Sequence, residues 1–205
     1  MILQEAIKNR RTLKVLSQEN IKVRDISDDV SEIVEMGGKA PFHYINAKAS
    51  DKRLKSLAPW RFYVLHGESC RKLADYFIEN NIDGGKLIQM LRAAQTLIQV
   101  TWTPESSEGG DLLSEQSNIE HIAATSAAVQ NMLLTATALG YENYWSSGGL
   151  LREDNFKELL GIPLDERLLA SLFLYDGNTE MCKTKKGALR GRQGSLDSYS
   201  KTVSL

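Results

Sequence analysis

With 205 residues, 42% of them hydrophobic, and a net charge of −1, the chain is long enough for one domain, or one domain with a tail, that folds without disulfides. Its two cysteines, Cys70 and Cys182, lie far apart with no CxxC or Cys/His spacing, which argues against a structural metal site and for a reduced, cytoplasmic setting. No stretch approaches the roughly 18 apolar residues of a membrane span, and the N-terminus MILQEAIKNRR lacks the apolar run of a signal peptide.

Residues 2–9 read as a short helix that ends at a basic cluster. Residues 27–38 read as a second helix, with Ser27 as N-cap, acids in the first turn and Gly37–Gly38 at its end. Residues 40–59 form a long loop with Pro41 and Pro59 near its ends, and loops of this length are usually functional or mobile. WRFYVLH (60–66) alternates like a strand, helical patterns follow at 67–80 and 85–93, and LIQVTW (97–102) is a second strand. The polar segment 104–116 is expected as an exposed loop.

The longest helix is expected over 117–139, with Gly140 as its C-cap; Ile119, Ile122, Ala123, Val129, Leu133 and Ala136 fall mostly on one side. Its other positions are rich in Ala, Ser and Thr, which permits close helix–helix approach. YWSSGG (144–149) reads as a strand end entering a glycine turn, 152–160 as a short helix, and LLASLFLY (168–175) as a strand buried on both faces. After Asp176–Gly177 the chain is polar and basic without periodicity. Strands and helices mix without regular βαβ alternation, which points to α+β. The expected division is a domain over 1–180 and a basic C-terminal extension over 181–205.

Charge is uneven. Lys8, Arg10, Arg11 and Lys14 crowd one segment, and Lys183, Lys185, Lys186, Arg190 and Arg192 another. Without these nine, 16 basic residues face 26 acidic ones. An acidic body with two basic segments is poorly suited to wrapping nucleic acid and well suited to holding one compact anion. Arg10, Arg11 and the Thr12 hydroxyl could hold a phosphate by charge-assisted hydrogen bonds, with bidentate geometry from arginine. An Arg-Arg pair alone reads more readily as a solvated basic patch. No Ser/His/Asp set, carboxylate pair, P-loop or metal cluster is present, and the three histidines (His43, His66, His121) offer little for hydrolysis. Without a GxGxxG after a strand, a Rossmann dinucleotide site is not expected.

Arg10-Arg11-Thr12-Leu13-Lys14 resembles the R-R-[ST]-x-[RK] motif of the nitroreductases, and further blocks agree in order and spacing. Lys39-Ala40-Pro41-Phe42-His43 followed by Ala58-Pro59-Trp60-Arg61-Phe62 is similar to the family's RAPDHK…QPWRF segment. AVQNMLLTATALG (to Gly140) is similar to its long central helix, Tyr144-Trp145-Ser146-Ser147-Gly148 to the IWRSG turn of the small, YdjA-like members, and ELLGIP (158–163) and LFLYDGN (172–178) to its later helix and strand. The likeness covers about residues 2–178.

It implies a nitroreductase-like fold, a mainly antiparallel central sheet flanked by helices, in a homodimer with FMN at the subunit interface. By position, Arg10, Arg11 and Thr12 would hold the FMN phosphate. Lys39 and His43 would approach from a facing loop of the same or the other subunit, and Trp145, Ser146 and Ser147 would line the ring. From the basic tail, Lys185 is favoured to return to the phosphate, though Lys183 or Lys186 could do so. Taken singly, His43 reads as an ordinary loop histidine, Trp145 as core, the serines as a turn, Lys39 as a helix-end lysine and the tail as a basic appendage.

The implied activity is FMN-dependent NAD(P)H oxidoreduction of nitroaromatics, quinones or similar small acceptors. Hydride would be carried at flavin N5 in a ping-pong cycle, with NAD(P)H a transient donor, no catalytic side chain, and no metal, nucleic acid or membrane. The alternative is a non-catalytic flavin sensor or storage protein. Three departures stand out: Ala58 replaces the family's Gln, Ser146 replaces its Arg, and the 40–59 loop is longer than in short relatives and carries Lys48, Lys52, Arg53 and Lys55.

Overall fold

Two strands buried on both faces set the architecture of the computed structural model, which describes residues 2–45, 56–105, 116–177, 179 and 182–204. They are β3 (Thr96–Trp102) and β5 (Arg167–Tyr175), the centre of a four-stranded antiparallel sheet. Its order is β2-β3-β5-β4, with β2 spanning Trp60–His66 and β4 Glu142–Ser146. The near-continuous apolar run of β5 follows from this central position; β3 is buried throughout although Thr96, Gln99 and Thr101 are polar. Leu97 and Phe173 face one layer, and Ile98, Val100, Ala170, Leu172 and Leu174 the other.

The first layer contains α3 (Gly67–Glu79), α4 (Lys86–Ala93) and β1 (Leu13–Leu16), which contribute Cys70, Leu73, Phe77, Leu91, Leu13 and Val15 to one cluster. Arg71 of α3 is buried and ion-pairs with no carboxylate among the described residues. Its guanidinium instead donates to the carbonyls of Leu91 and Ala94 at the end of α4 and of Ile21, so it satisfies carbonyls that a helix terminus leaves open.

The second layer is α2 (Ser27–Gly38) on α5 (Gln116–Ala138). Buried positions of α5 fall at Asn118, His121, Thr125, Ala128, Met132 and Ala136, the spacing of one helical face. The helices approach so closely that a Cβ on Gly37 would lie 2.7 Å from Met132 Cγ. Ser27 is the first residue of α2, not its cap: Asp25 Oδ1 accepts the Ser27 N–H at 3.1 Å and its hydroxyl at 2.8 Å.

Two elements fall where no strand was expected. β1 and β6 (Lys183–Lys186) form a separate antiparallel pair, with Lys14 opposite Lys185. A parallel bridge between Thr12 and Asn143 places this pair beside β4. Part of the expected 181–205 extension is thus a strand, and residues 187–204 beyond it are exposed. α1 (Leu3–Asn9) and α6 (Asp154–Leu159) complete the described elements, with 3-10 turns at 149–152, 189–192 and 196–198. The inserted lysines and arginine between 46 and 55, and most of the 104–116 loop, lie outside the described residues. Among those described, no helix is long and apolar enough to cross a membrane.

Candidate functional site

The edge of the sheet formed by β4, β1 and β6 gathers positive charge. Arg10 follows α1 and is half-buried, and Arg190 lies against it. The Arg190 guanidinium donates to the carbonyls of Arg10, Ile7 (3.1 Å) and Lys8 (2.7 Å), closing the end of α1. Burial, and then the neighbouring Arg190 charge, lower the Arg10 pKa from its ordinary value. Lys14 and Lys185 share a face because they are directly paired, and Lys14 Nζ stands 4.6 Å from the centre of the Tyr144 ring. None of Arg10, Lys14, Lys185 and Arg190 ion-pairs with an acid among the described residues. An anion set here would relieve the repulsion between Arg10 and Arg190.

Arg11 points elsewhere. It meets Glu142 at 2.5 Å beside Asn9, Thr137 and Tyr141, and hydrogen bonding to that carboxylate, with its charge, raises the Arg11 pKa. The pair fastens the start of β1 to the start of β4. Thr12 is fixed by its bridge to Asn143 and by the Gly187 N–H, which donates to its carbonyl at 2.9 Å.

β4 delivers Trp145 and Ser146 to opposite faces of the sheet and then turns. Trp145 remains 36% exposed, so it is not a core tryptophan. Ser146 Oγ accepts the Gly148 N–H at 3.2 Å, and Arg152 donates to the Ser147 carbonyl at 3.2 Å. Gly148 has φ +102°, a conformation that glycine alone adopts readily. The turn thereby brings bare backbone to the edge that carries the basic cluster.

Lys39 and His43 are not brought to this cluster within one chain. His43 lines a hollow with Glu120, Ala123, Ala124 and Ala127 in the first half of α5, whereas Arg11 sits by Thr137 at its end. Between Ala124 and Thr137 the helix rises about 20 Å. Lys39 pairs with Glu35 on the surface at 3.3 Å. Sequence reasoning missed Arg190 and Glu142 as members of the site region. Arg190 had only a place in a basic tail, and Glu142 gave no local pattern. No grouping of three or more His, Cys, Asp or Glu suited to a metal occurs among the described residues.

Comparisons with known proteins bear on the fold and the family. A solved nitroreductase-like family protein from Bacillus cereus matches with a TM-score of 0.67 and 21% identity, over 99% of this chain and 96% of that one. A nitroreductase with bound FMN from Bacteroides fragilis matches with a TM-score of 0.53 and 18% identity, over 100% and 95%. In sequence, the chain is 23% identical over 175 residues to YdjA of Escherichia coli strain K12, whose name assigns it to the NAD(P)H nitroreductases, covering 83% of this chain and 85% of that protein. The nitroreductase family model matches residues 7–175, most of the length, and the chain belongs to the nitroreductase family.

Proposed function

We propose that the chain is an FMN-dependent oxidoreductase that passes electrons from NAD(P)H to nitroaromatics, quinones or similar small acceptors. The observation that carries this reading is the uncompensated Arg10–Arg190–Lys14–Lys185 group along the β4 edge that ends in the Gly148 turn, in a member of this family. The residues fit the group. A phosphate suits Arg10 and Arg190 with Lys185 nearby, the Thr12 segment completes the cradle, and Trp145 with the 146–148 backbone offers a surface for a flat ring. Arg11, occupied by Glu142, then positions the cradle.

Bound FMN would supply two-electron transfer between a nicotinamide and the acceptor. The chain's own tasks are holding, orienting and exposing. Arginine geometry fixes the phosphate end. The Ser146–Gly148 hydrogen bond sets the turn, and exposed Trp145 borders an open face that two substrates can use in succession. No side chain is needed as a proton donor.

A homodimer supplies what one chain separates. Lys39 and His43 of a second copy would face the Arg10–Ser147 edge of the first, and the exposed Ile2, Leu3 and Ile7 of α1 and Ile119 of α5 would be covered between copies. A second reading, a flavin-binding protein without turnover, is favoured by Ala58. It is buried against the Trp60 cluster where the family pattern has a glutamine amide. Purified protein should be yellow or take up FMN, bleach with NADH or NADPH under anaerobic conditions, and regain colour with a quinone or nitroaromatic. Failure to take up FMN overturns the proposal, and uptake without bleaching by either nicotinamide leaves the second reading.

A further inference from the structure

A transverse row of polar side chains crosses one face of the central sheet. By register Tyr63 pairs with Gln99, Gln99 with Ser171, and Ser171 with Ser146, so all four share a face. Gln99 and Ser171 are fully buried, and the Ser171 hydroxyl donates to Gln99 Oε1 at 2.5 Å. Gln99 Nε2 is buried without a partner. Whichever way that amide is turned, one of its polar atoms is orphaned, a cost that Leu or Val in mid-sheet would avoid. Tyr63 does not compete for it, because its hydroxyl donates to Glu166, 3.0 Å from both oxygens.

The row ends beneath the turn. A register shift between β3 and β5 pairs Val100 with Ala170 but Thr101 with Leu168, so Leu169 is an extra residue in β5. This bulge turns Leu168 to the face that carries Ser171. A Cβ on Gly148 would lie 2.5 Å from Leu168 Cδ2 and 3.4 Å from Ser171 Oγ, so the Gly148 backbone rests directly on these two side chains.

We infer that Ser171, oriented by Gln99, is a positioning residue for the 146–148 turn and so for its recognition of the flavin ring. This rests on the FMN reading above. Hydrogen-bonded to Gln99, the Ser171 oxygen keeps a fixed place under Gly148, and the turn is held by the sheet centre. The phosphate end belongs to Arg10 and Arg190, so the two ends of the ligand are read by separable groups.

The test compares FMN and riboflavin, which lacks the phosphate, in fluorescence titrations of the full chain. Ser171→Ala and Gln99→Leu are expected to raise Kd for both flavins by the same factor, roughly two- to tenfold for one lost hydrogen bond, and to shift the midpoint potential of the bound flavin. Arg10→Ala is expected to weaken FMN and leave riboflavin unchanged. Should Ser171→Ala not fold, Ser171→Cys, a near-isosteric weak donor, is expected to show the same parallel loss. Variants with a lowered Tm but wild-type Kd for both flavins and an unmoved potential would overturn the inference, as would loss confined to FMN. Wild-type protein that binds neither flavin would overturn the parent reading and this inference together.

Discussion

At position 148 the backbone takes φ +102° while the space above Cα is filled by Leu168. Alanine there meets both a conformational and a packing penalty. Gly148→Ala is expected to lower stability by roughly 2–4 kcal/mol, read as a reduced denaturant midpoint; an unchanged midpoint would contradict the close approach. The two adjacent arginines should behave differently. Arg10→Ala removes a charge-assisted contact, so FMN affinity should fall by about 1.5–3 kcal/mol in a binding titration. Arg11→Ala breaks a partly exposed ion pair, and a double-mutant cycle with Glu142→Ala should give a coupling of at most about 1 kcal/mol. Equal losses of FMN from both arginine variants would refute the division of roles. The motif marked Arg10, Arg11 and Thr12 alike, and it could not separate the two arginines. The partner that diverts Arg11 is Glu142, 131 positions away.

Elements differed in legibility for physical reasons. α5 is legible in extent, but its expected face holds only in the second half: Val129, Leu133 and Ala136 are buried while Ile119 and Ala123 are exposed. β5 shows in sequence as the apolar run that burial on two faces requires. β1 and β6 have four residues each, too few to display a period, and β6 is KTKK, exposed at every position. It is a strand because its backbone pairs with β1, a fact no side-chain pattern records. Long-range latches are equally silent in sequence. Arg71→Leu should destabilise the α3–α4 layer by roughly 3 kcal/mol or more in chemical denaturation, since it strands buried carbonyls of Ile21, Leu91 and Ala94.

Tyr141 ties β4 to α2 by donating its hydroxyl to Asp29, and burial, then that carboxylate, push its pKa up to about 12. Burial likewise pushes the Cys70 thiol up to about 12. Above the ordinary thiol and phenol values the unfolded chain holds fewer protons than the folded one, so stability falls as pH rises toward 12. It should be insensitive to these groups below pH 9, the thiol's ordinary value. Tyr141→Phe should flatten the decline between pH 10 and about 12; an unaltered slope would contradict the assigned environment.

On the scale of the whole molecule, the residues that the sequence pattern groups together are divided between two regions of one chain. The basic edge with its glycine turn lies at β4, β1 and β6, and the Lys39–His43 segment lies by the first half of α5. The sequence pattern groups residue types that a flavin site would use. It does not show that Arg11, beside Thr137, and His43, beside Ala124, meet α5 at places about 20 Å apart along its axis, because that distance depends on the helix they flank. Two copies of the chain can unite what one keeps apart, and the exposed apolar positions of α1 and α5 give them a surface on which to meet. The most direct measurement of this claim is light scattering on a sizing column with absorbance read at the flavin bands, given a chain mass of 22.9 kDa. The account predicts that FMN elutes with a species of twice the chain mass at one flavin per chain. FMN carried by a species of single-chain mass, or a dimer that excludes it, would contradict the shared site.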